Sequence, residues 1–129
     1  MDRFAHANEW IRHAQADYDA VMHLKTQRLT FIKIICFHCQ QTAEKALKAI
    51  LAYYDEEIPR THDLMHILEF CEFHCNGILA KFSDEADQLS GFAVVTRYPN
   101  EVEVTEADMF LAITGAEQIL EYAKSLLRR

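Results

Sequence analysis

Residues 35–53 read ICFHCQQTAEKALKAILAY, and this stretch decides the fold. Its apolar and small side chains recur at spacings of three and four, which is typical of an amphipathic helix. The stripe consists of Ile35, Cys39, Thr42, Ala46, Ala49 or Ile50, and Tyr53. We therefore predict a long second helix that begins after an N-cap at Thr30 and runs toward Asp55.

The same periodicity predicts four more helices on either side of this stretch. The first covers about residues 3–26, and the third begins near residues 61–63 and stops around Asn76 and Gly77. The fourth is expected to open at Ser83, and the last at Thr105 in a capping box with Asp108. Five helices with short connections predict an all-α fold, an up-and-down bundle of four to five helices that forms one domain over residues 1–129.

The composition excludes several other classes of protein. Three Gly and two Pro in 129 residues are too few for a many-turned β-sandwich or barrel. A formal net charge of -7 argues against a general nucleic-acid binder, which needs a basic surface. No apolar stretch approaches the roughly 20 residues of a membrane span, and the N-terminal sequence lacks the pattern of a secretory signal. We expect a cytoplasmic protein that does not enter the membrane.

Cysteine and histidine side chains are the candidate metal ligands of the sequence. Cys36, Cys39, Cys71 and Cys75 lie inside predicted helices, so we interpret them as reduced thiols that pack in the core. His62 and His66 are four residues apart, yet no third ligand accompanies them in a recognised zinc pattern. We therefore expect no metal site and no cofactor, with His62 closing the start of the third helix.

The run Gln40-Gln41-Thr42-Ala43-Glu44-Lys45-Ala46-Leu47-Lys48 carries the most chemical information. Helical spacing places Gln41, Glu44, Lys45 and Lys48 on one side of helix two. This polar strip has two interpretations. It could offer two ammonium groups to an anionic ligand, or it could be a solvated face with an ordinary Glu44–Lys48 pair.

Two further motifs follow this run, Thr61-His62-Asp63-Leu64 and Arg97-Tyr98-Pro99. Together with the run, with Trp10 and with the segment 14–18, they resemble the HEPN family of small all-α domains. The resemblance implies a bundle of four or five helices that often dimerises. It also implies one of two activities, namely nucleotide binding beside a partner nucleotidyltransferase or metal-independent RNA cleavage.

Nucleases of the HEPN family carry an Arg followed by four to six residues and a His. After Arg97 the corresponding positions hold Val102, Glu103 and Val104, so the expectation is a domain that lacks this motif. The carboxylate of Glu103, and that of Glu101 nearby, would also repel a scissile phosphate. The resemblance therefore implies a member without this catalysis.

The first hypothesis is a non-catalytic domain that binds a nucleotide or a nucleic-acid phosphate. It would act with a separately encoded small nucleotidyltransferase, in a toxin-antitoxin-like or modifying complex. Arg97 is the only basic residue from Asp84 to Asp108, among seven acidic ones, which favours a dedicated partner for its charge. The predicted ligand-binding residues are Gln41, Lys45, Lys48, His62, Arg97 and Tyr98.

Three alternatives stay open at this point. Arg97 could form an internal ion pair with Glu44 or Asp63 that fixes the bundle. The protein could be a divergent ribonuclease that uses Arg97 with His62. It could also be a structural dimer that holds a partner protein and binds no small molecule.

The start of helix two also bears on the oligomeric state. Its first two turns are apolar in almost every direction, and a helix that is apolar all round must be covered all round. We expect a second copy of the chain to cover the side that the bundle core leaves open, in a symmetric homodimer. The residues concerned are Phe31, Ile34, Ile35, Cys36 and Phe37.

Overall fold

The computed structural model describes residues 2–95 and 103–128, without the side chains at positions 28, 29, 94 and 95. Within these ranges the chain is helical and contains no β-strand. A short 3₁₀ turn, Lys25–Gln27, joins the first two helices. The helices are α1 (Arg3–Leu24), α2 (Arg28–Tyr53), α3 (Leu64–Glu72), α4 (Ile78–Ser90), the single turn α5 (Phe92–Val95) and α6 (Glu106–Leu127). The predicted all-α bundle is confirmed.

Helix α2 is the central element of the bundle. It packs most extensively against α1 and α6, and it also contacts α3, α4 and α5. Its apolar side chains form the middle of the core, where each large side chain contributes roughly 1.5–3 kcal/mol through burial. The fully buried large residues on α2 are Ile35, Leu47, Ile50 and Leu51.

The start of α2 is covered mainly by the chain's own helices. Ile35 and Cys36 are fully buried, and Phe31 and Phe37 are partly buried. Ile34 alone of these five residues is exposed, at 47%. The first turns of α2 are therefore apolar on most sides because other helices of the same chain surround them. Only Ile34 is left for a second copy of the chain to cover. The homodimer stays a prediction.

Two predicted helix starts are wrong. Thr30 is not the N-cap of α2, because the 3₁₀ turn leads directly into a helix that begins at Arg28 and is kinked at Phe31. Ser83 lies inside α4, which begins five residues earlier, after Gly77. The expectation that His62 closes the start of α3 is also wrong, because Asp63 is the cap and the ring of His62 binds Glu44 instead. The capping box of Thr105 and Asp108 opens α6 as predicted.

The early start of α4 depends on a carboxylate from the preceding helix. Glu72 accepts hydrogen bonds from the backbone N–H groups of Gly77 (2.9 Å) and Leu79 (2.7 Å). These two bonds cap the N-terminus of α4, and they lower the pKa of Glu72. Gly77 permits the turn between α3 and α4, since its φ of +94° lies in the left-handed region that other residues avoid.

We predict that Gly77→Ala destabilises the protein by about 1–2 kcal/mol, because a Cβ disfavours the left-handed backbone. No heavy atom lies within 4 Å of the position that this Cβ would take, so the backbone conformation alone causes the loss. Chemical unfolding of both proteins measures the difference.

Gly91→Ala is the matched control. Gly91 has an ordinary helical φ of -61°, and the nearest atom to its added Cβ, the Gln88 carbonyl oxygen, is 3.6 Å away. This variant should be as stable as the wild type or up to about 1 kcal/mol more stable. Equal losses in both variants would contradict the role given to Gly77.

Candidate functional site

The polar strip of α2 is buried at Glu44 and Lys48. Among residues 2–95 and 103–128, the buried polar or charged residues are Gln40, Thr42, Glu44 and Lys48, all of them on this helix. Glu44 is 4% exposed and Lys48 is 7% exposed. The interpretation as a solvated face is therefore wrong for Glu44 and Lys48, which the protein covers, whereas Gln41 and Lys45 are partly exposed. The predicted Glu44–Lys48 pair does form, at 3.0 Å, but inside the protein.

Glu44 is the centre of this network. Its Oε1 accepts hydrogen bonds from Gln40 Nε2 (3.0 Å) and from the ring Nδ1 of His62 (2.8 Å), and its Oε2 accepts one from Lys48 Nζ (3.0 Å). Burial raises the pKa of Glu44, but the bonds from His62, Gln40 and Lys48 outweigh it and hold the pKa below 4.5. The group is therefore an ionised carboxylate at neutral pH.

The ionised state of Glu44 determines which ring nitrogen of His62 carries a proton. An ionised carboxylate can only accept hydrogen bonds, so Nδ1 of His62 carries the proton in its bond to Glu44. The second ring nitrogen, Nε2, is then the one that can meet a ligand. The His62 side chain is 58% exposed, whereas that of Glu44 is 5% exposed, so the network reaches the surface at His62.

The structure brings three of the predicted site residues together. Gln41 donates to Oε1 of Gln40 (2.6 Å), and Gln40 in turn donates to Glu44 and to the backbone carbonyl of His62 (3.2 Å). Gln41, Lys48 and His62 thus belong to one connected network. The sequence analysis placed Glu44 on the same side of the helix as these residues. It did not predict that the Glu44 carboxylate accepts the hydrogen bonds that connect them.

Lys45 has a different partner. Its ammonium group lies 2.6 Å from Oδ2 of Asp17 on α1, and Oδ1 of the same carboxylate lies 2.8 Å from Nδ1 of His38. Lys45 therefore does not join the Glu44 network. It lines a separate groove of about 380 Å³ together with His6, Glu9, Trp10 and His13.

A larger cavity lies at the His62 end of the network. It has a volume of about 570 Å³ and is lined by Thr61, His62, Asp63, Asp87, Ser90, Gly91 and Ala93. Ser90 Oγ accepts the backbone N–H of Leu64 (2.9 Å), so its own hydroxyl proton can point to a ligand. No signal in the sequence identified Ser90, since a lone Ser near a helix end has many ordinary roles.

Arg97 and Tyr98, the other two predicted site residues, lie outside the described residues. Both carboxylates considered as internal partners of Arg97 have other roles. Glu44 binds Lys48, His62 and Gln40, and Asp63 caps α3 by accepting from the N–H groups of Met65 and His66.

The four cysteines are buried thiols outside any disulfide, and their interpretation as core residues is confirmed. Burial raises the pKa of Cys36 to about 12, and burial also raises the pKa of Cys39 and of Cys71. These thiols are therefore protonated at neutral pH and unreactive.

Within residues 2–95 and 103–128, no group of three or more His, Cys, Asp and Glu side chains could hold a metal ion. None of the helices there is long and apolar enough to span a membrane.

The expectation that the nuclease motif is absent needs a correction. It holds after Arg97, but Arg60 and His66 enclose five residues, which is within the spacing of four to six. Arg60 precedes α3 and His66 lies in its first turn, and both side chains are exposed. The ring of His66 lies 5.2 Å from that of Phe70.

Comparison with known proteins gives a family and a similar solved structure. The family model described as the HEPN domain matches residues 7–126. The crystal structure of an archaeal HEPN homologue is similar to this chain, with a TM-score of 0.75 and 26% sequence identity. That match covers 94% of this chain and 97% of the other. No curated protein matches.

The buried Glu44–Lys48 pair makes a testable contribution to stability. We predict that Lys48→Met costs roughly 3 kcal/mol, because it leaves the Glu44 carboxylate buried without its cation. The double variant Glu44→Gln with Lys48→Met should recover most of this loss, since it removes both charges. Unfolding in urea gives all three free energies.

Lys124→Met serves as the control for this pair. Lys124 is 3.5 Å from Glu121 on the surface of α6, where a salt bridge contributes less than about 1 kcal/mol. If Lys48→Met were as mild as Lys124→Met, the buried network would not have the role described.

Proposed function

The chain belongs to the HEPN domain family, and on that premise we propose that it is a non-catalytic member that binds a nucleotide or a nucleic-acid phosphate. The ligand enters the cavity beside His62. The domain acts with a separately encoded small nucleotidyltransferase, in a toxin-antitoxin-like or modifying complex. Two copies of the chain form the working unit.

The observation that carries this proposal is the buried network that reaches the surface at His62. A buried ion pair is a poor device for stability, because apolar residues of similar volume serve a core as well or better. Gln40, Glu44 and Lys48 lie in the core, and hydrogen bonds through Glu44 connect them to one exposed histidine. Ligand binding at His62 explains this arrangement better than a contribution to stability does. The network holds Nδ1 of the imidazole and leaves Nε2 for a ligand.

The cavity has the hydrogen-bond donors that a phosphate needs. Ser90 and Thr61 each accept a backbone N–H, from Leu64 and Asp63 respectively, and so each can donate its own hydroxyl proton. Two hydroxyl donors on the wall of one cavity can bind the acceptor oxygens of a phosphate.

The charge of the cavity explains why Arg97 belongs to the proposal. Asp87 lines the cavity and would repel an anion, and Asp63 is also part of the wall. Arg97 and Tyr98 follow Ala93, another lining residue, by four and five positions in the sequence. The proposal keeps Arg97 and Tyr98 as ligand-binding residues from their position in the sequence alone, since the described lining residues include no Lys or Arg.

Thermal melting in the presence of ATP, GTP or pyrophosphate tests the binding function. At a concentration about a hundredfold above the dissociation constant, the ligand should stabilise the wild type by about 2.7 kcal/mol. Arg97→Ala and His62→Ala should lose this gain. His23→Ala is the matched control, since His23 is exposed in the last turn of α1 and should keep it.

Two results would overturn the proposal. One is a wild type whose melting temperature does not respond to any of the three compounds. The other is Arg97→Ala that is strongly destabilised without ligand, because a cation that waits in solvent for phosphate contributes little to folding.

The Arg60–His66 spacing supports one rival function, metal-independent RNA cleavage. The proposal predicts that the purified protein leaves single-stranded RNA intact in EDTA over hours. Cleavage that is lost in both Arg60→Ala and His66→Ala would replace it with a nuclease at these residues. Cleavage lost in Arg97→Ala and His62→Ala would instead favour a nuclease in the His62 cavity.

A further inference from the structure

The surface between α4 and α6 carries two adjoining cavities. One has a volume of about 550 Å³ and includes Lys81 and Ser125 in its wall, and the other has a volume of about 260 Å³ and includes Glu85 and Leu111. Gln118 lines both cavities, so they form one continuous groove, which we call the α4–α6 groove. None of its described lining residues lines the His62 cavity. A site in this groove is therefore independent of the proposed function.

The two ends of the groove carry opposite charges. Lys81, the only basic residue of α4, lies at one end, and Asp84 and Glu85 line the other. Carboxylates three and four residues after a lysine are within reach of its ammonium group on a helix. The Lys81 ammonium instead lies over the rings of Phe82 and Tyr122, at 5.6 Å and 5.4 Å from their centres. The opposite charges of α4 are therefore held apart along the groove.

The acidic end of the groove lacks a cation among the residues that the structure describes. Asp84 and Glu85 form no ion pair there, and the buried Oε2 of Glu85 accepts no hydrogen bond. A buried acceptor without a donor is costly, so a donor from a bound cation would stabilise it. Gly115 leaves room for this side chain, because a Cβ at that position would lie 3.3 Å from Cγ of Glu85. This end of the groove suits a basic group.

The basic end of the groove suits a single carboxylate. Glu121 lies in its wall, but Lys124 compensates this charge at 3.5 Å. Lys81 forms no ion pair with a described residue, and Gln118 and Ser125 add an amide and a hydroxyl donor to the same wall. Because the charge around Lys81 is net negative, a doubly charged phosphate is repelled more strongly than a carboxylate.

We propose that the α4–α6 groove binds the C-terminal end of a partner protein, with its terminal carboxylate at Lys81 and a basic side chain at Asp84 and Glu85. A terminal carboxylate is attached directly to the backbone, so its binding orders fewer rotatable bonds than the binding of an acidic side chain does. The net charge of -7 attracts a basic segment over a longer range. The partner is a chain that ends in an apolar residue shortly after an Arg or Lys.

The dimensions of the groove set the position of that basic residue. Glu85 follows Lys81 by four residues, which is about 6 Å along a helix. An extended peptide advances about 3.3–3.6 Å per residue, so the basic residue lies two positions before the last one. Its aliphatic part packs against Leu111, which is 58% exposed, and the last side chain packs against the half-buried ring of Tyr122.

NMR titration of the isotope-labelled protein with three short peptides tests the proposal. The first peptide ends in Arg-Ala-Leu with a free carboxylate, the second has the same sequence with an amidated end, and the third has Gln in place of Arg. The first peptide should shift the backbone amide signals of α4 and α6 in a saturable manner. Amidation and the replacement of Arg should each weaken binding about tenfold, since each removes one charged contact.

Variants of the protein assign the two charges. Lys81→Met should weaken binding of the free-acid peptide and leave binding of the amidated peptide unchanged. Asp84→Asn combined with Glu85→Gln should weaken binding of the Arg peptide and leave binding of the Gln peptide unchanged. Lys25→Met is the control, since Lys25 lies in the 3₁₀ turn outside the groove and this variant should bind as the wild type does. The wild-type titrations decide the question even if a variant does not fold.

The proposal is overturned if the free-acid peptide causes no saturable shift at millimolar concentration, or if its shifts lie outside α4 and α6. Equal binding of the free-acid and amidated peptides would also overturn it. A fourth peptide, amidated and ending in Arg-Ala-Glu, separates the two sources of a carboxylate. If it binds as strongly as the first peptide, the groove takes an acidic side chain and the assignment to a C-terminus is overturned.

Discussion

The buried, ionised carboxylate of Glu44 connects the residues of the proposed ligand site. It lies on the central helix α2 and receives hydrogen bonds from Gln40 and Lys48 on the same helix and from His62 in the segment before α3. A charge in this position must be compensated, because an unpaired buried ion costs several kcal/mol. That requirement fixes the His62 ring and places Lys48 over Trp10. The His62 cavity therefore lies where this internal network reaches the surface.

The lowered pKa of Glu44 gives the network a defined pH dependence. Hydrogen bonds from His62, Gln40 and Lys48 favour the ionised form in the folded protein, whereas the unfolded chain titrates near the ordinary value of 4.5. The unfolded state then takes up a proton first as the pH falls. The stability that the network contributes is fully present above pH 4.5 and is lost as the pH falls through the folded pKa of Glu44.

Local patterns predicted most of the fold, and long-range contacts explain where they failed. The stripe of α2 and the Thr105 capping box depend on residues three or four apart, which a sequence displays directly. The start of α4 depends on Glu72, whose carboxylate reaches across a turn to Leu79, and nothing near Ser83 signals this. The burial of Glu44 and Lys48 could not be predicted either, because the sequence of one helix does not show how many other helices pack around it. Asp17, 28 positions from Lys45, is the same kind of case.

The ionisation of Glu44 is the most direct test of this account. An NMR titration of its side-chain carboxyl carbon, assigned by comparison with Glu44→Gln, follows this one group as the pH is lowered in the folded protein. The account predicts a midpoint below 4.5, with the signal at its ionised position throughout the neutral range. A midpoint above 4.5 would show that burial outweighs the hydrogen bonds to this carboxylate, and it would contradict the network on which the proposed His62 site depends.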